Sequence, residues 1–127
     1  MRFSYVQFRG KFSPIVPIRF RRKNGAWTEF KAYVDSGAGY SIFHADITEI
    51  LGLKLEEGEK AYVTVGDGSL IPVYSHQIMI QIGDEKFEAM IGFSKQLGIG
   101  FNIIGRKDIF ERFKVCFDEK DRIVEFI

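Results

Sequence analysis

Asp35-Ser36-Gly37-Ala38 stands at the end of the apolar-rich run Phe30-Lys31-Ala32-Tyr33-Val34. That run reads as a strand, so Asp35 falls where a strand gives way to a loop. The next residue, Ser36, carries a short hydroxyl that can both donate and accept. Gly37 then allows the loop backbone to approach the carboxylate, where a Cβ would obstruct it. A carboxylate in this setting is what one half of a paired-carboxylate acid–base device needs. Hydrolysis by paired carboxylates needs two of them facing each other, so that one proton is shared between them. The chain holds a single Asp-Ser-Gly triplet. The missing second carboxylate therefore matters as much as the one present.

Working outward, Asn24-Gly25 separates two alternating segments, Ile18-Arg19-Phe20-Arg21-Arg22 and Trp27-Thr28-Glu29-Phe30-Lys31. Asn-Gly supplies the positive φ angles of a type I′ turn, so these segments are expected to form a hairpin whose second strand runs into Asp35. Tyr40-Ser41-Ile42-Phe43 reads as a further short strand. Residues 46–52 read as a short helix. Asp46 and Glu49 have capping-box spacing, Ile47, Ile50 and Leu51 share one face, and Gly52 can close the end. Ala61-Tyr62-Val63-Thr64-Val65 and Leu70-Ile71-Pro72-Val73-Tyr74 flank Gly66-Asp67-Gly68-Ser69, a hairpin with a flexible glycine-rich tip. Ile78, Ile80 and Ile82 alternate with Gln77, Met79 and Gln81, which predicts a strand with one wet face. Gly83-Asp84 turns that strand into residues 86–91.

Phe101-Asn102-Ile103-Ile104 reads as a buried strand ending at Gly105. Residues 106–113 are expected to be helical, with Ile109, Phe110 and Phe113 inward. Val115-Cys116-Phe117 and Arg122-Ile123-Val124-Glu125-Phe126 follow, around an acidic turn at Asp118-Glu119. The sum is mostly β with two short helices. The 13 phenylalanines supply the large apolar volumes that fill a small barrel or sandwich.

Composition narrows the function classes. A chain of 127 residues, 46% hydrophobic and 28% charged, suits one soluble domain over residues 1–127 that builds its own core. A formal net charge of +1 favours neither nucleic acid nor an anionic membrane. Arg19, Arg21, Arg22 and Lys23 read as a solvated or edge-protecting face rather than a nucleic-acid patch. Cys116 is the lone cysteine, which precludes an intrachain disulfide and suits a reducing compartment. No run is long enough to span a membrane, and Met1-Arg2-Phe3-Ser4-Tyr5 lacks the apolar core of a signal peptide, so a cytoplasmic location is expected. His44 and His76 lie apart from each other and from Cys116, without metal-ligand spacing, so no metal site is expected.

The order of these parts resembles the retropepsin-like aspartic proteases, the single-domain dimeric group that includes the retroviral enzymes. The likeness rests on Val34-Asp35-Ser36-Gly37-Ala38, the glycine-tipped hairpin, and Asn102-Ile103-Ile104-Gly105-Arg106, and it spans residues 26–117. It implies a closed acid-protease-type β barrel and a homodimer in which Asp35 of each protomer meets at the floor of the cleft. An isologous interface would supply the second carboxylate, since it repeats the same group across its axis. Asp35 would be catalytic, supported by Ser36, Gly37, Ala38, Ile104 and Gly105. Ser36 would join a hydroxyl network tying the two loops together. Val65, Gly66, Asp67 and Gly68 would form a flap over an extended protein or peptide substrate. The activity implied is that of an aspartic endopeptidase needing water but no cofactor, metal, nucleic acid or membrane. Ile42, Val65, Leu70 and Ile104 are expected to line apolar side-chain pockets. One departure stands out: Gly39 occupies a position usually held by a second aspartate, which leaves Arg106 without its usual partner.

Blander readings exist for each signal. Asp35 could cap its own loop, Asp67 could simply form a turn, and Arg106 could sit in a structural ion pair. A non-catalytic peptide-binding module on the same fold would keep almost every feature above. A monomeric sandwich with no site would keep fewer.

Overall fold

Period-two alternation in the sequence becomes strand after strand in the computed structural model, which describes residues 1–98 and 100–127. In chain order these are β1 (Arg2–Ser4), β2 (Val6–Phe8), β3 (Lys11–Ser13), β4 (Ile15–Arg21), β5 (Trp27–Val34) and β6 (Ser41–His44). Helix α1 (Ile47–Leu51) comes next, then β7 (Glu59–Thr64), β8 (Leu70–Ile82) and β9 (Glu85–Ser94). The chain ends with β10 (Asn102–Ile104), β11 (Val115–Asp118) and β12 (Ile123–Phe126). Among the described residues, no helix is long and apolar enough to cross a membrane.

The main sheet runs β4-β5-β10-β6-β9-β8-β7, and β4 also pairs with β8. That extra pairing closes the ring, as expected for a barrel, and leaves β7 outside it on the edge of β8. Ile18, Phe20, Phe43, Ile80, Ile91, Phe93 and Ile104 are all fully buried in the barrel. Phe20 holds the centre, with ring centroids 4.6 Å from Phe43, 5.5 Å from Phe30 and 6.4 Å from Phe93. Tilted and edge-on contacts of this kind add to the stabilisation each ring gives by leaving water.

A second sheet, ordered β1-β12-β11, brings the two ends of the chain together. Edge-on rings link it to the barrel: Phe87 to Phe113 and Phe113 to Phe126 at 5.6 Å each, and Phe126 to Phe3 at 5.8 Å. The Tyr5 hydroxyl donates to Glu119 at 2.9 Å. Burial first, and then that hydrogen bond, push the hydroxyl up to about 12. β2 and β3 form a separate hairpin.

Several local expectations are corrected. The turn after β4 is not type I′, because Gly25 takes a positive φ of 93° and Asn24 does not. Asn24 instead accepts the Ala26 N–H at 2.9 Å on its side-chain oxygen. The segments around Tyr74 and Ile78 are one strand, β8, with Pro72 inside it opposite Tyr62. In α1, Ile47 and Leu51 are buried but Ile50 is 44% exposed. It lies about 100° around the helix from Leu51. The Asp46 side chain makes no cap, and the Thr48 hydroxyl bonds to the Ala45 carbonyl at 2.7 Å instead. The second helical segment begins at Arg106 but is irregular, since Lys107 is extended and Asp108 has φ 64°. Two bonds explain the bend: the Asp108 carboxylate accepts the Met90 N–H at 2.8 Å, and Glu111 accepts the Asp108 N–H at 2.8 Å. Cys116, expected to be buried because Val115 and Phe117 flank it, is half-buried in β11.

Candidate active site

Strand β10 enters between β5 and β6, parallel to the first and antiparallel to the second. Ile104 lies opposite Val34. Both strands therefore end at the same level, and Asp35 begins where β5 stops. The Asp35 N–H donates to the Ile104 carbonyl at 2.9 Å, which docks the loop onto the end of β10. The Ala38 N–H returns to the Asp35 carbonyl at 3.2 Å, and the Gly37 N–H donates to Asp35 Oδ1 at 2.9 Å.

The opposite wall of the loop is the segment after β10. Arg106 N–H donates to the Ala38 carbonyl and Lys107 N–H to the Gly39 carbonyl, both at 2.9 Å. The Arg106 guanidinium donates to the Ser36 carbonyl at 2.8 Å. Gly105 is buried at the crossing and donates its N–H to Ser41 Oγ at 3.0 Å. A Cβ there would run into the Tyr40 carbonyl and stand 2.8 Å from the Ala38 carbonyl oxygen, so this position has no room for a side chain. At Gly37 a Cβ would lie 3.2 Å from Asp35 Oδ1, and the carboxylate would have to give way. Arg106 makes no ion pair among the described residues; its partner is a carbonyl, contrary to the ion-pair expectation. The Ser36 side chain is exposed, and its hydroxyl has no hydrogen-bond partner among the described residues.

Strands β7 and β8 carry the second half of the site. Their tip is closed by Val65 N–H to the Ser69 carbonyl and Gly68 N–H to the Val65 carbonyl, both at 2.9 Å. Asp67 Oδ1 accepts the Ser69 N–H at 2.9 Å and the Ser69 hydroxyl as well. Those bonds hold the Asp67 carboxyl below its ordinary range. Asp67 is thus a turn former, whatever else it does.

The loop and the tip face the same cleft, of about 680 Å³. Asp35, Gly37, Ala38 and Gly39 line one side, and Val65, Gly66 and Asp67 line the other. Between them are Ile42, Val63, Leu97 and Ile103. Ile42, Ile71, Val73 and Leu97 form an apolar cluster distinct from the main core, with Val63, Val65 and Ile103 packed on it. Of the expected pocket residues, Ile42 and Val65 line the cleft. Leu70 is 62% exposed and outside it, and Ile104 is fully buried in the barrel. Alternation along β10 explains the exchange, since successive side chains point to opposite faces and Ile103 takes the cleft side. Gly68 belongs to the turn but not to the lining. Leu97, Gly98 and Tyr40 also line the cleft and were not foreseen. The glycines around Leu97 signal a loop in the sequence, but nothing there says which surface it covers. Among the described residues, no group of three His, Cys, Asp or Glu side chains is placed to hold a metal ion.

No protein-family model and no curated protein sequence matches the chain. Solved structures do. One is a retropepsin-like aspartic protease from Rickettsia conorii, at TM-score 0.68 and 16% identity, covering 99% of this chain and 90% of that one. Another is EIAV protease complexed with the inhibitor HBY-793, at TM-score 0.59 and 20% identity, covering 84% of this chain and 93% of that one. The chain has the fold of the retropepsin-like aspartic proteases.

Proposed function

We propose that this chain is an aspartic endopeptidase that works as a homodimer, with residues 1–127 acting as one domain and Asp35 as the catalytic residue of each copy. The observation that carries the reading is the shared cleft, which sets the Asp35 loop across from the 65–67 tip although some thirty residues separate them in sequence. An exposed Ser36 hydroxyl with no partner among the described residues supports a second copy at that point, where it would find one.

Two carboxylates brought close together cannot both ionise cheaply, so they hold one proton between them. The ionised member takes a proton from water as the water attacks the peptide carbonyl, and the protonated member donates to the carbonyl oxygen. The titration belongs to the pair. Residues 65–68 act as a flap, under which an extended peptide pairs through its backbone as an added strand would. Ile42, Val63, Leu97 and Ile103 favour apolar side chains beside the cleaved bond. Water is the only co-reactant, and a single cysteine suits a reducing compartment such as the cytoplasm.

The test is incubation with a denatured-protein or peptide library between about pH 4 and 7, a range chosen to reveal acid–base catalysis, beside an Asp35→Ala control. Cleavage that disappears in the control is the expected result. Equal peptide binding without cutting in both forms would make the chain a binding module instead. A rate still climbing above about pH 8 would contradict the shared-proton mechanism.

A further inference from the structure

The Ser36–Gly37 peptide bond is held at both of its polar ends. Its carbonyl accepts the Arg106 guanidinium at 2.8 Å, and its N–H donates to Asp35 Oδ1 at 2.9 Å. A cation on the carbonyl oxygen draws electron density through the amide and makes the N–H a stronger donor, the cooperative strengthening seen in hydrogen-bond chains. Taking Asp35 as the catalytic carboxylate, as proposed above, we infer that Arg106 is a positioning residue that acts on Asp35 through this one peptide group, strengthening the Gly37 N–H bond to Oδ1 and holding the carboxylate's orientation.

The surroundings leave Arg106 available for that task. Lys107 and Asp108 pair with each other at 3.6 Å, the other Asp108 oxygen takes the Met90 N–H, and Glu111 takes the Asp108 N–H. Across the cleft, Asp67 is engaged by Ser69. Gly39 is the neighbour that decides the matter. A Cβ at residue 39 would lie 3.8 Å from Arg106 Nη2, so any carboxylate carried there would reach the guanidinium. With glycine at that position, the cation is left to the Ser36 carbonyl. The backbone bond from Arg106 N–H to Ala38 does not depend on the guanidinium, and Arg106→Met and Arg106→Lys keep the N–H, which separates the relay from the buttress.

The test compares wild type with Arg106→Met, Arg106→Lys and Gly39→Asp. In Arg106→Met, kcat should fall about tenfold with KM within about twofold, and the acid limb of the rate profile should move to higher pH, since the ionised carboxylate loses support. Arg106→Lys should restore part of both, because an ammonium can still donate to the carbonyl. Gly39→Asp should shift the acid limb the same way by drawing the guanidinium off. A second readout needs no turnover: the Gly37 amide proton in the NMR spectrum should move upfield in Arg106→Met and Gly39→Asp and partly return in Arg106→Lys. An unmoved Gly37 resonance, or an unmoved acid limb in a folded Arg106→Met, overturns the relay. If wild type cuts nothing, the endopeptidase reading fails while the Gly37 resonance still decides the role of Arg106. If Arg106→Met does not fold, Gly39→Asp carries the decision.

Discussion

The turns at 22–26 and 65–69 share one hydrogen-bond pattern in two settings. In each, the first residue donates its N–H to the carbonyl of the fifth, Arg22 to Ala26 and Val65 to Ser69. In each, the fourth is a glycine at positive φ, 93° at Gly25 and 84° at Gly68, donating to the carbonyl of the first. In each, the third side chain accepts the N–H of the fifth, through Asn24 in one and Asp67 in the other. The second residue differs. Lys23 donates its N–H to the Leu51 carbonyl at 2.8 Å, which ties that turn to the end of α1. A Cβ at Gly66 would meet nothing within 4 Å, so the other tip stands clear above the cleft. Local sequence sets the shape of a turn, and tertiary contact decides whether it can move.

The strongest way to break this comparison is valine at the shared glycine. A β-branched residue is poorly tolerated at positive φ, at a cost of about 1–3 kcal/mol to the fold where the turn is tied down, as at Gly25; at Gly68 the unsupported tip relaxes locally instead. In Gly68→Val, kcat/KM should fall about a hundredfold or more as the tip loses its shape over the cleft, with melting little changed. In Gly25→Val the folded protein should melt lower by several degrees and keep its activity per folded molecule. Equal effects on activity would erase the distinction. Proline at the second position sharpens it further. Lys23→Pro removes the N–H that reaches Leu51 and should cost about 1 kcal/mol in a urea titration. Gly66→Pro removes an N–H with no partner among the described residues and should leave stability within about 0.5 kcal/mol.

The smallest effect is electrostatic. The Ser69 bonds favour the charged Asp67 carboxylate and lower its titration from the ordinary 3.8. The folded turn therefore gains support at pH values above 3.8, and that support is lost as pH falls through the lowered value. Asn24 has no such titration. Lowering the pH through this window should loosen the Ser69 amide, seen as faster exchange or a shifted resonance, and leave the Ala26 amide in place. Parallel behaviour of the two amides would show that the side-chain acceptor does not matter.

What was legible in the sequence follows from the range of the forces involved. Strands, turns and the position of Asp35 could be read because alternation and glycine punctuation are local. That the Asp35 loop and the glycine tip would face one cleft came from the family resemblance and from no local pattern, and the two do line the same cleft. The exchange of Ile104 for Ile103 in the cleft depends on the register that sets Ile103 beside Ile42 of β6, a pairing across some sixty residues. The N-terminal strands were not read at all, since β1 finds its partner in β12 at the far end of the chain. The Arg106 contact depended on Gly39 leaving space, which the sequence signalled as a missing partner without saying what replaced it. Residues 106–113 misled for a local reason: the inward spacing of Ile109 and Phe113 is helical, but Asp108 spends its carboxylate on β9 and bends the backbone.

The terminal sheet bears on the proposed pairing of two copies. Because β1 lies against β12 of its own chain, with Phe126 N–H bonded to the Met1 carbonyl at 2.8 Å, each copy completes its shape alone. Association would then join finished surfaces and trade no segments. Differently tagged batches would reshuffle on simple mixing, at the speed of dissociation rather than of refolding.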